Sequence, residues 1–160
     1  MSFERTYQSA IRKIRPSGVW LALCGCNDDL KIRVERLAAE LPHNHALRIK
    51  AVGYTTEMDE LMSASDVLLG KPGGLTTSEA LAKGLVFCVV NPIPGQEERN
   101  SDHLLEEGVA IRCNNLPALA YKIDRLLDDP ARVETMKDNA RRLARPHAAR
   151  EIVSKLLSLR

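Results

Sequence analysis

The residues best equipped for chemistry lie in one stretch, Gly70 to Glu79, which reads Gly-Lys-Pro-Gly-Gly-Leu-Thr-Thr-Ser-Glu. Gly73 and Gly74 leave backbone amides uncovered by side chains. Leu75, Thr76 and Thr77 then open a helix whose first amides have no internal acceptor. Free amides at the positive end of a helix hold an anion well, a phosphate or diphosphate above all. The hydroxyls of Thr76 and Thr77 can add hydrogen bonds, and Lys71 can add charge. By spacing alone, a glycine pair that merely permits a tight turn is an equally good reading. Glu79 stands five residues beyond Gly74 and can face the same cleft. A diphosphate repels a carboxylate, so the paired hydroxyls of a ribose suit Glu79 better as a partner. The alternatives for it are an acidic residue favoured by the helix end, or a capping partner of Thr76.

A second polar group occupies Pro94 to Asn100, Pro-Gly-Gln-Glu-Glu-Arg-Asn. Side chains such as Gln96 and Glu97 can each engage two adjacent hydroxyls of a polyol. Glu98 fits ordinary helix initiation. Two familiar phosphate motifs are absent. A Walker A loop would need glycine at Ser65 and a hydroxyl at Pro72, and the chain after the first strand, Cys24-Gly25-Cys26-Asn27-Asp28, lacks Gly-x-Gly-x-x-Gly. There is no paired Cys-x-x-Cys to suggest zinc. His43 and His45 read as loop residues, and His103 and His147 as helix residues away from the site. No residue is assigned as catalytic or as a metal ligand.

The elements that must position these groups alternate in type. Phe3, Tyr7, Ile11 and Ile14 recur at helical spacing up to Pro16. Short apolar runs at 19–24, 46–52, 66–69, 85–90 and 109–112 predict five strands. Helices are expected between them: 28–41, capped by Asn27; a short one after Thr56; 76–83; and 97–107. Three more, around 116–128, 131–144 and 147–159, close the chain. This alternation predicts an α/β fold, a Rossmann-like, mainly parallel sheet with helices on both faces and no second domain. In such a sheet ligands bind at the carboxyl ends of strands. Gly53–Asp59, Gly70–Glu79 and Asn91–Asn100 all fall there.

The chain has 160 residues, 23 of them Lys or Arg and 21 Asp or Glu, too near balance to predict a nucleic-acid partner. The excess is uneven, since residues 112–160 hold eleven basic and six acidic side chains. That imbalance suits an anionic surface such as lipid. No run approaches 18 apolar residues and the first twenty lack a secretory pattern, so a cytoplasmic protein is expected. Four cysteines beside apolar runs predict buried free thiols.

The segment DVLLGKPGGLTTSEALAKGLVFCVVNPIPGQEERNSDHLLEEG, residues 66–108, closely resembles a known glycosyltransferase family. That family comprises bacterial processive diacylglycerol glucosyltransferases, plant monogalactosyldiacylglycerol synthases and the peptidoglycan enzyme MurG, glycosyltransferase family 28. AVGYTTEMDELMSASD and LALCGCNDDLKIRVERL resemble the family's preceding segments. The combination KPGG-x-T-x-SEAL followed by PGQE-x-x-N carries the resemblance.

The resemblance implies one half of a GT-B fold, the half that binds a UDP-sugar. Gly73, Gly74 and the amides of Leu75 to Thr77 would hold the diphosphate, and Glu79 the ribose. Gln96 with Glu97 would address the hexose, and Tyr54 with Thr55 the uracil. The donor, UDP-hexose, is a substrate, and no cofactor is implied. Transfer would proceed by direct displacement with inversion, the base coming from an acceptor domain. The resemblance also implies that the acceptor domain and the first strand of this half lie outside the chain, making residues 1–160 an N-terminally truncated donor domain. Such a chain would need that domain or a partner chain that binds the acceptor. It would act at the inner face of a membrane, and it would pair its two exposed strand edges directly or form a homo-oligomer. A non-catalytic donor-binding subunit and a UDP-GlcNAc 2-epimerase-like fragment are the alternatives.

Overall fold

The computed structural model describes residues 11–159; of the helix expected over Phe3 to Ile14, the part before Ile11 lies outside the described residues. In chain order the elements begin with β1 (Gly18–Gly25), α1 (Asp28–Glu40), β2 (Leu47–Gly53), α2 (Met58–Ser63), β3 (Val67–Gly70), α3 (Gly74–Ala82) and β4 (Val86–Val89). They continue with α4 (Gln96–Glu106), β5 (Ala110–Arg112), a 3-10 turn (Leu116–Ala118), α5 (Leu119–Leu127), α6 (Pro130–Leu143) and α7 (Ala148–Ser158). The fold is α/β, and every strand pairing is parallel. The chain divides into two compact units, one running through Leu61 and taking in Cys113–Pro130, the other comprising Met62–Arg112 and continuing from Ala131.

In the first unit β1 pairs with β2, from Gly18 opposite Leu47 to Gly25 opposite Gly53. Asn27 caps α1 by accepting the Leu30 amide on Oδ1 at 2.9 Å, which satisfies one of the orphan donors of a helix start. Leu37 is buried, and the helix stops at Leu41, extended before Pro42. Buried Leu119, Ala120, Ile123 and Leu126 define the inner face of α5. Asp124, also buried on α5, accepts from the Arg15 amide at 3.0 Å and from Arg15 Nε at 2.8 Å. A buried carboxylate is tolerable because it is paired in this way. The same bond raises the pKa of the Arg15 guanidinium, with the charges of Asp124 and Asp128 adding to it.

The second unit is built on a three-stranded sheet, β3-β4-β5. Central β4, Val-Phe-Cys-Val, is wholly buried, which is why it reads as a continuous apolar run rather than an alternating one. Burying a side chain such as Phe87 contributes about 1.5–3 kcal/mol. Val133, Met136 and Ala140 line the buried side of α6. Lys137 on that helix donates to Asp66 Oδ1 at 2.6 Å, just before β3. The bond to Asp66 raises the Lys137 pKa against the opposing effect of burial.

The strands form two sheets, of two and three members, where a single sheet was expected. Among the described residues β1 pairs with β2 and β3 with β4, and none of these pairings is the direct one considered for the runs 19–24 and 66–69. Val19 and Leu23 of β1 are exposed. Cys24, Cys88 and Cys113 are buried and outside any disulfide, whereas Cys26 is exposed. Burial, reinforced by Glu35, pushes the Cys24 thiol pKa up. No helix among the described residues is long and apolar enough to cross a membrane.

Candidate functional site

Adjacent parallel strands send their following loops out at the same end of a sheet. β3 and β4 are such neighbours, in register from Val67 opposite Val86 to Gly70 opposite Val89. The Val90 amide extends the pairing by donating to the Gly70 carbonyl at 3.0 Å. The segments 71–74 and 91–95 therefore leave side by side.

Helix α3 starts at Gly74 with Gly73 as its N-cap, two residues before the start predicted at Thr76. The Gly73 amide donates to the Lys71 carbonyl at 2.9 Å, and the Thr77 amide to the Gly73 carbonyl at 2.8 Å. Between them the amides of Gly74, Leu75 and Thr76 occupy the first turn, where the helix offers no acceptor. Gly73 has φ −64°, and Gly74 is not among the glycines with positive φ. A Cβ at Gly73 would come no closer than 3.9 Å to Thr76 Oγ1, and at Gly74 it would meet nothing within 4 Å. Neither backbone conformation nor crowding by the protein requires glycine at these two positions. What the pair achieves is bare amides facing open space.

The hydroxyls around this turn differ in their engagement. Ser78 Oγ donates back to the Gly74 carbonyl at 3.0 Å. Thr77 is 9% exposed, and its Oγ1 is buried without a partner, a condition it shares among the described residues only with Ser101. A buried hydroxyl left unpaired costs about 1–3 kcal/mol. Glu79 is the sixth residue of α3, exposed, and makes no side-chain hydrogen bond or ion pair among the described residues. The helix has no acidic residue in its first turn, and its N-cap has no side chain. Neither of the helix-capping roles considered for Glu79 is realised.

Gln96 opens α4 and is exposed. Glu97 accepts the Ile93 amide on Oε2 at 2.6 Å, and Glu98 accepts the Gly95 amide on Oε2 at 3.3 Å. Glu98 is thus the helix-initiating residue it was read to be, and Glu97 braces the loop with one oxygen. Gly95 has φ +96°, a conformation that side chains oppose, so here glycine is a backbone requirement. Asn100 Nδ2 donates to the Pro72 carbonyl at 2.8 Å and ties α4 to the glycine turn. Sequence reasoning quoted Asn100 within a motif but gave it no task. The available signal was its position one helical turn beyond Gln96.

Tyr54 and Thr55 belong to the first unit, directly after β2. Tyr54 is 75% exposed, and Thr55 Oγ1 accepts the Glu57 amide at 3.0 Å. His45 Nδ1 contacts the Leu47 amide at 3.1 Å, consistent with its reading as a loop residue. No group of three His, Cys, Asp or Glu side chains among the described residues is placed to hold a metal ion.

The α/β arrangement matches that of solved GT-B structures. Against MurG of Acinetobacter baumannii the TM-score is 0.80 at 22% identity, covering 97% of this chain and 45% of that one. Against HepE of Anabaena, solved in complex with UDP-glucose, it is 0.60 at 16% identity, covering 98% and 45%. Residues 8–143 match the sequence profile of the glycosyl transferases group 1, and the chain belongs to that family. It is 32% identical over 137 residues to a processive diacylglycerol beta-glucosyltransferase of Bacillus pumilus, covering 86% of this chain and 35% of the relative. The corresponding Bacillus subtilis protein is 31% identical over 137 residues, with the same coverage. These relatives bear out the resemblance seen in the sequence, although the matching profile is described as group 1 rather than family 28. The chain spans about a third of the length of the curated relatives it matches.

Proposed function

We propose that the chain is the UDP-sugar-binding portion of an inverting glycosyltransferase that passes a hexose to a lipid acceptor such as diacylglycerol. The observation that carries this reading is the glycine pair, which the backbone does not need and which leaves three amides bare. In this reading the diphosphate lies on the amides of Gly74 to Thr76, with Gly73 beneath it and the Thr77 hydroxyl and Lys71 close by. Glu79 receives the ribose hydroxyls, and Gln96 with Glu97 addresses the hexose. Tyr54 and Thr55 keep the uracil contacts that the family resemblance implies. The names of the Bacillus relatives support a lipid acceptor.

The chemistry follows from where charge develops. The acceptor hydroxyl loses its proton to a base, its oxygen bonds to the anomeric carbon, and the bond from that carbon to the diphosphate breaks. The departing electron pair leaves negative charge on UDP, and fixed amides at a helix N-terminus stabilise that charge without reorganising. No residue of the chain is assigned as the base. It is supplied by an acceptor-binding domain or partner chain, at the cytoplasmic face of a membrane.

Titration calorimetry tests the donor reading: UDP binds more tightly than ADP or GDP, and Glu79→Ala weakens UDP at least tenfold, the loss of a charge-assisted bond of about 1.5–3 kcal/mol. Equal affinities for the three nucleotides, or an unchanged Kd in Glu79→Ala, would refute it. The purified 160-residue chain forms no product from UDP-glucose and diacylglycerol. Turnover by the chain alone would force a search for a base among His103, Glu97 and Glu98.

A further inference from the structure

The two strands of the first unit end level with each other, Gly25 opposite Gly53. Parallel neighbours send their following segments out at the same end, so the start of α1 and the pair Tyr54 and Thr55 leave side by side. Lys31 is the fourth residue of α1, and its amide donates to the Asn27 carbonyl at 3.1 Å. Its aliphatic stem lies across the end of β2. A Cβ built on Gly53 would stand 3.9 Å from Lys31 Cδ and 3.8 Å from the Gly25 carbonyl oxygen. The stem therefore runs next to the backbone that leads directly into Tyr54.

Helix energetics do not account for a cation at this place. A helix start favours negative charge, which Asp28 and Asp29 supply, and opposes positive charge. Lys31 stands close to that start, while the last turn of α1, where a cation would be favoured, holds no basic residue. Its ammonium is 3.9 Å from Glu35 Oε1, beyond hydrogen-bond range. It makes no side-chain hydrogen bond among the described residues. An ammonium carries three donors and no acceptor, on a four-carbon stem that lets the head swing. What such a group seeks beside Tyr54 and Thr55 is a ligand oxygen.

We propose that Lys31 is a specificity-determining residue that donates a hydrogen bond to a carbonyl oxygen of the nucleobase. The inference rests on the donor reading above, which puts uracil at Tyr54 and Thr55, and adds to it the side chain that selects the base. A pyrimidinedione turns its 4-carbonyl to a donor, where adenine presents an amino group that opposes one. The test is titration of UDP, uridine and ADP into the 160-residue protein and its Lys31→Met variant, followed by NMR so that millimolar affinities are read. The expected result is that Lys31→Met weakens UDP and uridine by a similar factor, at least about tenfold, and leaves ADP within about twofold. Methionine keeps the stem and removes only a long contact to Glu35, so the melting temperature stays where it is. A loss for UDP with uridine unchanged would overturn the proposal by showing attraction to the phosphates alone. So would equal losses for UDP and ADP, or no loss for either uridine compound. Those results leave the donor reading standing, because the wild-type preference for UDP persists in each. A wild-type protein that binds UDP no better than ADP would remove the donor reading and this inference together.

Discussion

Replacing Gly74 by alanine separates what the glycine pair does for the fold from what it does for a ligand. A methyl group there meets no protein atom within 4 Å, and Gly74 is not among the positive-φ glycines. Alanine restricts the unfolded chain, so Gly74→Ala is expected to raise stability by about 0.4–1 kcal/mol. In a chain of this size that is a rise of about 1–4 °C in Tm. The ligand experiences the opposite. A phosphate oxygen accepting an amide hydrogen bond sits about 2.9 Å from the nitrogen, within the open space that the new Cβ fills. Displacing one such oxygen forfeits a charge-assisted bond of about 1.5–3 kcal/mol, so the Kd for UDP rises by about ten- to a hundredfold. Scanning calorimetry and titration calorimetry on one preparation read both quantities. Unchanged UDP affinity would remove the amides from the site. A loss of stability above about 1 kcal/mol would show that the turn itself needs glycine.

Three further outcomes are expected. Thr77→Val replaces a buried unpartnered hydroxyl by a methyl of the same shape, so thermal stability holds or rises by up to about 1 kcal/mol; a drop in stability would show a partner for the hydroxyl within the protein. Native-state hydrogen exchange is slower at Val86–Val89, flanked by strands on both sides, than at residues 19–23, where β1 has one neighbour; equal protection would contradict the two-sheet arrangement. Pairing with Asp66 raises the Lys137 pKa above its ordinary 10.5, so the stability it contributes is complete below that value and is lost as pH rises through the raised one. Lys137→Met should therefore lower Tm at neutral pH, by a pair energy of at most about 1 kcal/mol, and differ little from wild type in strong alkali.

What could be read from the sequence was local. Asn27 was legible as a cap because its side chain bonds an amide three residues on. The run at β4 was legible because burial on both faces leaves no polar position in it. The start of α3 was misplaced because the hydroxyl of Thr76 offers a side-chain cap in the sequence, yet the cap position is held by Gly73, which has no side chain to bond. The bond from Asn100 to Pro72 spans 28 residues and was invisible for that reason. So was the orphaned Thr77 hydroxyl, since an absent partner leaves no trace in residue spacing. The split into two sheets escaped the same reading, because apolar runs identify strands without saying which edges remain open.

The bond from Asn100 to the Pro72 carbonyl also has a mechanical consequence. The glycine turn and the start of α4 follow different strands, and without a tie each could drift as an independent loop. Asn100 works as a strut between them, so a tilt of α4 is passed to the backbone immediately before Gly73. In the donor reading proposed above, a nucleotide sugar touching both segments would meet them at a spacing that this bond helps to hold.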